Sequence, residues 1–385
     1  MGDASGRGPQ RTRRAVRGHL LLPPSRSRDA RGRRTTRSRS RDRDRDVCVR
    51  QGAPLDLPGR PSRPGLPRAS VRSRHGPPGG AGRVTGRPTA LTAAGRVAAI
   101  LHDGVGETPE HSPRPFLHPV STPGGITVSD YGPADHPWHW GLGIAVSTID
   151  VVGQAHPVNL WGGPTYRKGT GYAQLPNNGS QQVRIEEGLE DHTVQQLDWL
   201  TTGGTTFLSE RRSWRAESLQ VRGVAWTALT VRSTWVNASG GPLAFGSPTT
   251  SGRPDAGYGG FFLRLAPSFE GAEIVAAPPG FGRPGGVEAP VSEVDAMGST
   301  RSWLGSRSSD ASVLMVPAAD NPGGLSPWFV RSTGTPMLCA APFFHRLVHL
   351  GVDGVLDWTW SLLAADGPVQ DEGFVAAADA VRGSC

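Results

Sequence analysis

From Leu91 to the C-terminal region the chain is cut into short β-rich runs, each closed by Gly, Pro, Asn or Asp. Such punctuation leaves little room for long helices and points to an all-β architecture. The clearest runs are 126–131, 142–149, 193–200, 205–215, 224–237, 260–265, 312–316, 328–331, 337–344 and 355–363. In 224–237, Leu229, Val231 and Trp235 share one face, and Thr230, Arg232 and Thr234 share the other. That period of two describes a strand with one packed and one more polar face. No βαβ alternation and no fixed repeat is visible, which argues against a parallel α/β sheet. About a dozen strands in one unit predict a large antiparallel β-sandwich. The best helix spans 370–382, where Phe374, Val375, Ala378 and Val381 share a side and Gly383 follows as a C-cap.

Charge divides the chain in two. Residues 1–88 hold 23 Arg and 6 Asp and no aromatic residue, whereas residues 89–385 hold 18 Lys or Arg and 27 Asp or Glu. The basic balance therefore belongs to the N-terminal segment, which lacks the apolar residues needed to offset the entropy of ordering. It is expected to be a disordered arm, or upstream sequence read from too early a start. Residues 89–385 are expected to form a single domain. The arm alone is a weak footprint for nucleic acid, since no folded basic surface accompanies it. Cys48, Cys339 and Cys385 make neither a disulfide framework nor a zinc ligand set. No apolar stretch reaches the length of a membrane-spanning helix. A cytoplasmic location without membrane association is the expectation.

Polar and aromatic residues concentrate in three places. The densest is Asp130–Gly143, DYGPADHPWHWGLG, with Asp135, His136, Trp138 and His139; His118 precedes it in RPFLHP. Histidines near a carboxylate suit general acid and base work near neutral pH. Trp faces suit the apolar face of a sugar. The second place is 159–181, with Trp161, Tyr166, Arg167, Tyr172, Asn177, Asn178 and Gln181 among turn-forming Gly and Asn. The third is 251–258, SGRPDAGY, where Arg253 can orient a substrate or pair with Asp255. Glu210 and Arg212 share a face of the 205–215 strand and are candidates to face a ligand. His345 and His349 would share a face if their run is a strand. His136 and His139 are the metal alternative, with His118, His345 or a carboxylate as third ligand. There is no phosphate loop of the G-x-x-x-x-G-K type, no strand-linked G-x-G-x-x-G and no G-x-S-x-G elbow, so ATP-driven, nicotinamide-fold and serine-hydrolase chemistry has no support.

The segments RPFLHPVSTPGG, ADHPWHWGL, NLWGGPTY, NNGSQ and GRPDAGYGGFF carry a resemblance. Over about 90–382 the chain is similar to the bacterial family labelled "methane oxygenase PmoA". Members of that family resemble the galactose-mutarotase-like supersandwich, whose proteins often bind or transform sugars with His pairs and a carboxylate. The family pattern often continues D-H-x-x-H with Arg or Gly. Here Trp140 follows His139, so a basic residue at that place is lost or moved.

The combined expectation is a carbohydrate-active protein, an epimerase or lyase, working without a cofactor. His136, His139 and His118 would handle protons, with Glu210 or Asp255 as carboxylate partner. Asp135, Trp138, Trp161, Tyr166, Asn178, Gln181, Arg253 and His345 would hold the sugar. The alternatives are a noncatalytic sugar-binding protein and a metal-dependent oxygenase using a divalent metal at His136 and His139.

Overall fold

Alternating apolar and polar side chains produce two large antiparallel sheets in the computed structural model, which describes residues 88–280 and 286–382. The first has eight strands, in the order Thr89–Ala93, Arg96–His102, Phe116–Val120, Leu142–Val146, Gly259–Arg264, Met337–Ala340, Ser326–Arg331 and Thr300–Arg301. The second has nine, in the order Glu288–Val291, Glu273–Ala276, Leu304–Arg307, Ala311–Pro317, Val355–Asp366, Val224–Asn237, Thr206–Val221, His192–Leu200 and Ser180–Leu189. The sheets share one apolar core. Phe261 of the first lies 5.6 Å from Trp360 and 6.4 Å from Trp214 of the second, ring centre to ring centre. The fold is thus the all-β antiparallel sandwich that the punctuation of the sequence implies.

The period of two in Val224–Asn237 holds. Leu229, Val231 and Trp235 are buried in the sandwich, while Arg232 is exposed and pairs with Asp357 across the ladder. The C-terminal helix forms as Asp371–Arg382. Its buried side, Phe374, Ala377, Ala378 and Val381, covers the outer face of the nine-stranded sheet around Trp226, Leu314 and Leu363. Phe374 meets the rings of Trp226 and Trp303 at 5.9 and 6.3 Å. The C-cap expected at Gly383 and the N-terminal segment expected to be disordered both lie outside the described residues, apart from Pro88. Among the described residues no helix is long and apolar enough to cross a membrane.

Several elements differ from expectation. Residues 126–131 are held by isolated bridges, including Ser129 to Leu265 and Tyr131 to Trp140, and form no named strand. The 142–149 run breaks at Ser147. Leu142–Val146 stays in the eight-stranded sheet, and Thr148–Val151 joins a three-stranded sheet with Leu243–Gly246 and Val348–Leu350. The 337–344 run stops at Ala340, because Pro342 cannot donate to the ladder. His345 consequently sits in a turn and not on the strand that carries His349. The edge strand Ser180–Leu189 is half exposed and rich in Gln and Glu, so no apolar alternation marks it in advance.

Candidate functional site

Both faces of the central strands of the eight-stranded sheet, Leu142–Val146, Gly259–Arg264 and Met337–Ala340, are buried. Ile144, Val146, Phe261, Leu263, Val330 and Leu338 point into the sandwich. Their alternate neighbours Ala145, Phe262, Phe329, Met337 and Cys339 form a second apolar layer on the outer side. Loops lie over that layer, and between loops and floor is a cavity of about 410 Å³. The three polar segments of the sequence meet here. His136, Trp138 and His139 come from the first, Trp161 and Tyr172 from the second, and Arg253 and Tyr258 from the third. Phe329, Arg331, Thr335 and Met337 complete the wall.

The Trp161 loop is fixed by Asn159. Its Nδ2 donates to Gly163 O and Thr165 Oγ1, both at 3.1 Å, and its Oδ1 accepts from the N–H groups of Trp161 and Gly162. Gly162 and Gly163 both have positive φ, +100° and +65°. A Cβ on Gly163 would sit 2.5 Å from the Trp138 ring, so only glycine lets the two loops close against each other. Trp161 then packs on Tyr258 and Phe262 at 4.7 and 4.6 Å, and meets His139 edge-on at 5.5 Å.

The two histidines have different environments. His136 is partly exposed, and its Nδ1–H donates to Asp135 Oδ2 at 2.7 Å, which leaves Nε2 to accept or pass a proton. Partial burial opposes the effect, but the His136 hydrogen bond and the charges of His136 and Arg264 hold Asp135 below the usual carboxylate range. His139 is buried and stacked on His136, ring centres 4.6 Å apart. Burial first, then the nearby charges of His136, Arg264 and Arg114, push its pKa well below 6.5. It is therefore neutral at physiological pH, and its Nδ1 has no hydrogen-bond partner among the described residues. Buried Arg264 lies 3.6 Å from Asp130 and 4.0 Å from Asp135.

This has a thermodynamic consequence. His139 and His118 both have depressed pKa values, the latter through burial and the neighbouring His102 against the pull of Asp130. The unfolded chain takes up protons below about pH 6.5 while the folded one resists. Stability is therefore full above that pH and falls as pH drops below it, by at most about 1.4 kcal/mol per pH unit for each histidine. Urea unfolding between neutral and mildly acidic pH measures this slope, and His139→Gln is expected to reduce it. An unchanged slope in that variant would refute the assignment.

On the far wall, Tyr172 Oη and Tyr258 Oη are 2.9 Å apart. Arg253 hydrogen-bonds the Tyr172 hydroxyl and lies over the Tyr172 ring, 4.8 Å from its centre. Burial and the contact with Tyr172, opposed by Arg253, raise the Tyr258 phenol well above its ordinary value, so it remains a proton donor at neutral pH.

The remaining sequence candidates lie elsewhere. Glu210 is buried inside the sandwich, paired with Arg212 at 2.7 Å and accepting from Trp199 and Ser233. Gln181 joins the same cluster by accepting from Arg212, and donates to Ile144 O. The period of two correctly places Glu210 and Arg212 on one face, but that face is the core, so neither faces a ligand. Asn178 is a scaffold residue, donating to Gly163 O and Ser112 Oγ. His118 borders a different cavity with His102, Glu107 and Tyr131. Its Nδ1 is 2.9 Å from Ser129 Oγ. His345 donates to Gly298 O and lines a third cavity. Asp255 is exposed in a turn with φ +51°, and Tyr166 packs edge-on against Tyr172. Of the two alternatives for Arg253, the pair with Asp255 is not formed; Arg253 turns to Tyr172.

Sequence reasoning misses Phe329, Arg331, Thr335 and Met337, because they lie in or beside strands that read as core. Tyr172 and Tyr258 fall inside the marked segments. An aromatic residue five positions from Arg253 is the signal that points to Tyr258. Arg264, a charge in an otherwise apolar strand, is the signal for a buried cation beside the site. Among the described residues no group of three His, Cys, Asp or Glu is placed to hold a metal, and the third ligands proposed from sequence, His118 and His345, border other cavities.

A sandwich of two antiparallel sheets, with a loop-covered aromatic cavity on an outer face, defines the structural class. Within it, residues 89–379 match the family described as "Family of unknown function (DUF6807)", and the chain belongs to that family. That description does not carry the methane oxygenase label. Among curated proteins nothing matches. Similar solved structures include the GH36 α-galactosidase AgaA from Geobacillus stearothermophilus, at 9% identity and TM-score 0.31 over 52% of this chain and 30% of that one. Others are a galactose mutarotase related enzyme from Lactobacillus acidophilus (10%, TM-score 0.35, 74% and 99% covered) and the Slr1438 protein from Synechocystis (8%, TM-score 0.38, 74% and 96% covered). The chain spans less than a third of the α-galactosidase's length. These likenesses are too distant to carry function, which is argued below from the residues of the cavity.

Proposed function

We propose that this protein binds a sugar or sugar derivative in the 410 Å³ cavity and performs acid–base chemistry on it through His136. One observation carries the reading. The cavity joins an aromatic wall of Trp138, Trp161, Tyr258 and Phe329 to a partly exposed His136 whose Nδ1 is held by Asp135. Aromatic faces match the C–H face of a pyranose, and the phenol and guanidinium groups opposite match its oxygens. Asp135 fixes the His136 tautomer, the arrangement by which a carboxylate orients a general base. Neutral His139 beneath it supports the ring without competing for the proton.

The direct test is a binding screen of mono- and oligosaccharides followed by intrinsic fluorescence, since Trp138 and Trp161 line the cavity. A sugar that binds the native protein is expected to bind Trp161→Ala about 5- to 150-fold more weakly, as loss of a stacking face costs about 1 to 3 kcal/mol. Saturable binding that is indifferent to Trp161 would place the sugar elsewhere. Binding with no turnover would favour the noncatalytic alternative.

A further inference from the structure

We infer that the ligand of this cavity is an anionic sugar bearing a carboxylate, a hexuronate or a chain containing one. This rests on the reading of the cavity as a sugar site and narrows it. The lining contains Arg253, Arg331 and His136 but no Asp or Glu. Neutral sugars offer many hydroxyl donors, and a wall without a carboxylate leaves those donors without charged acceptors. Two guanidinium groups instead ask for a negative charge.

The two arginines are not equivalent. Arg331 is already paired with Glu293 at 3.2 Å, and that carboxylate also accepts from the Ser332 N–H. The side chain of Arg253 makes no ion pair among the described residues. Its one hydrogen bond goes to the Tyr172 hydroxyl, and the Tyr172 ring beneath it fixes the plane of the fork. Stacking of this kind lowers the entropy cost of using the remaining N–H donors. The Tyr172–Tyr258 hydroxyl pair stands beside it as further donors. Arg253 and Arg331 against Glu293 leave one positive charge at the wall. That balance suits a singly charged carboxylate better than a phosphate ester, which carries more charge near neutral pH.

The test is titration calorimetry of the full chain with galacturonate, glucuronate and their short oligomers. Galactose, glucose and the hexose 6-phosphates run in parallel, at low and high salt. The uronates are expected to bind about tenfold or more tightly than the neutral sugars, the scale of one added hydrogen bond to a charged group. That preference is expected to shrink with salt. It should vanish in Arg253→Gln, which is expected to lose far more affinity for the uronates than for the neutral sugars. Arg253→Lys, which keeps the charge without the fork, should retain part of it, and circular dichroism checks both folds. Equal affinity for uronate and neutral sugar, or a preference that survives Arg253→Gln, overturns the inference and leaves the sugar site standing. Preference for the phosphates overturns the choice of carboxylate. A chain that binds none of these sugars overturns the sugar reading itself.

Discussion

Glu210→Ala is expected to destabilise the protein by about 3–5 kcal/mol, the cost of leaving a buried charge without its partner. Arg212 is fully enclosed in the sandwich, and both of its bonds to Glu210 are 2.7 Å long. The same carboxylate accepts from Trp199 Nε1 at 2.7 Å and from Ser233 Oγ at 2.5 Å. Removing it strands the Arg212 guanidinium and two further donors together. Truncating Arg212 as well would remove the stranded charge, so the double variant is expected to be less destabilised than the sum of the single ones. Urea unfolding of the two single variants and the double variant measures this coupling. A Glu210→Ala protein of native stability that has lost activity would instead reinstate Glu210 as a catalytic group and sink the structural account.

The Glu210 case shows where sequence reading succeeds and where it stops. The alternation around it is local backbone geometry, so the shared face of Glu210 and Arg212 follows from spacing alone. Which face is inside is also written there. Leu208, Trp214 and Ala216 occupy the same side and are buried. Their apolar character outweighs two charges that satisfy each other. The cavity was legible for a different reason. Dense aromatic and polar residues in Gly- and Pro-rich stretches are costly in a core and ordinary in loops that a rigid sheet holds together. His136, Trp138, His139, Trp161 and Arg253 accordingly converge. His118 and His345 do not, because closeness in the chain or a shared residue type says nothing about which cavity a loop borders. Phe329 and Met337 needed the sheet order itself. They enter the wall only because Ser326–Arg331 pairs with Met337–Ala340, and that strand with Gly259–Arg264.

His136→Ala is expected to lower turnover by about 10²–10⁴-fold, the usual contribution of a positioned general base or acid. Because the proposed reaction is proton transfer on a sugar, the readout is washout of a sugar C–H signal in D₂O by NMR, using the ligand that the binding screen selects. Asp135→Asn should give a smaller loss, since His136 keeps its place but loses the acceptor that fixes its tautomer. Affinity separates the roles. His136 lies at the cavity wall and is partly exposed, so binding by His136→Ala is expected to change far less than turnover. In Trp161→Ala the order reverses, with affinity lost first because that ring supplies contact area and no proton. Loss of both quantities in step for His136→Ala would mean that this histidine only holds the ligand. Absence of exchange or turnover with every sugar the native chain binds would assign the cavity to recognition, with the His136–Asp135 pair as a hydrogen-bonding clamp.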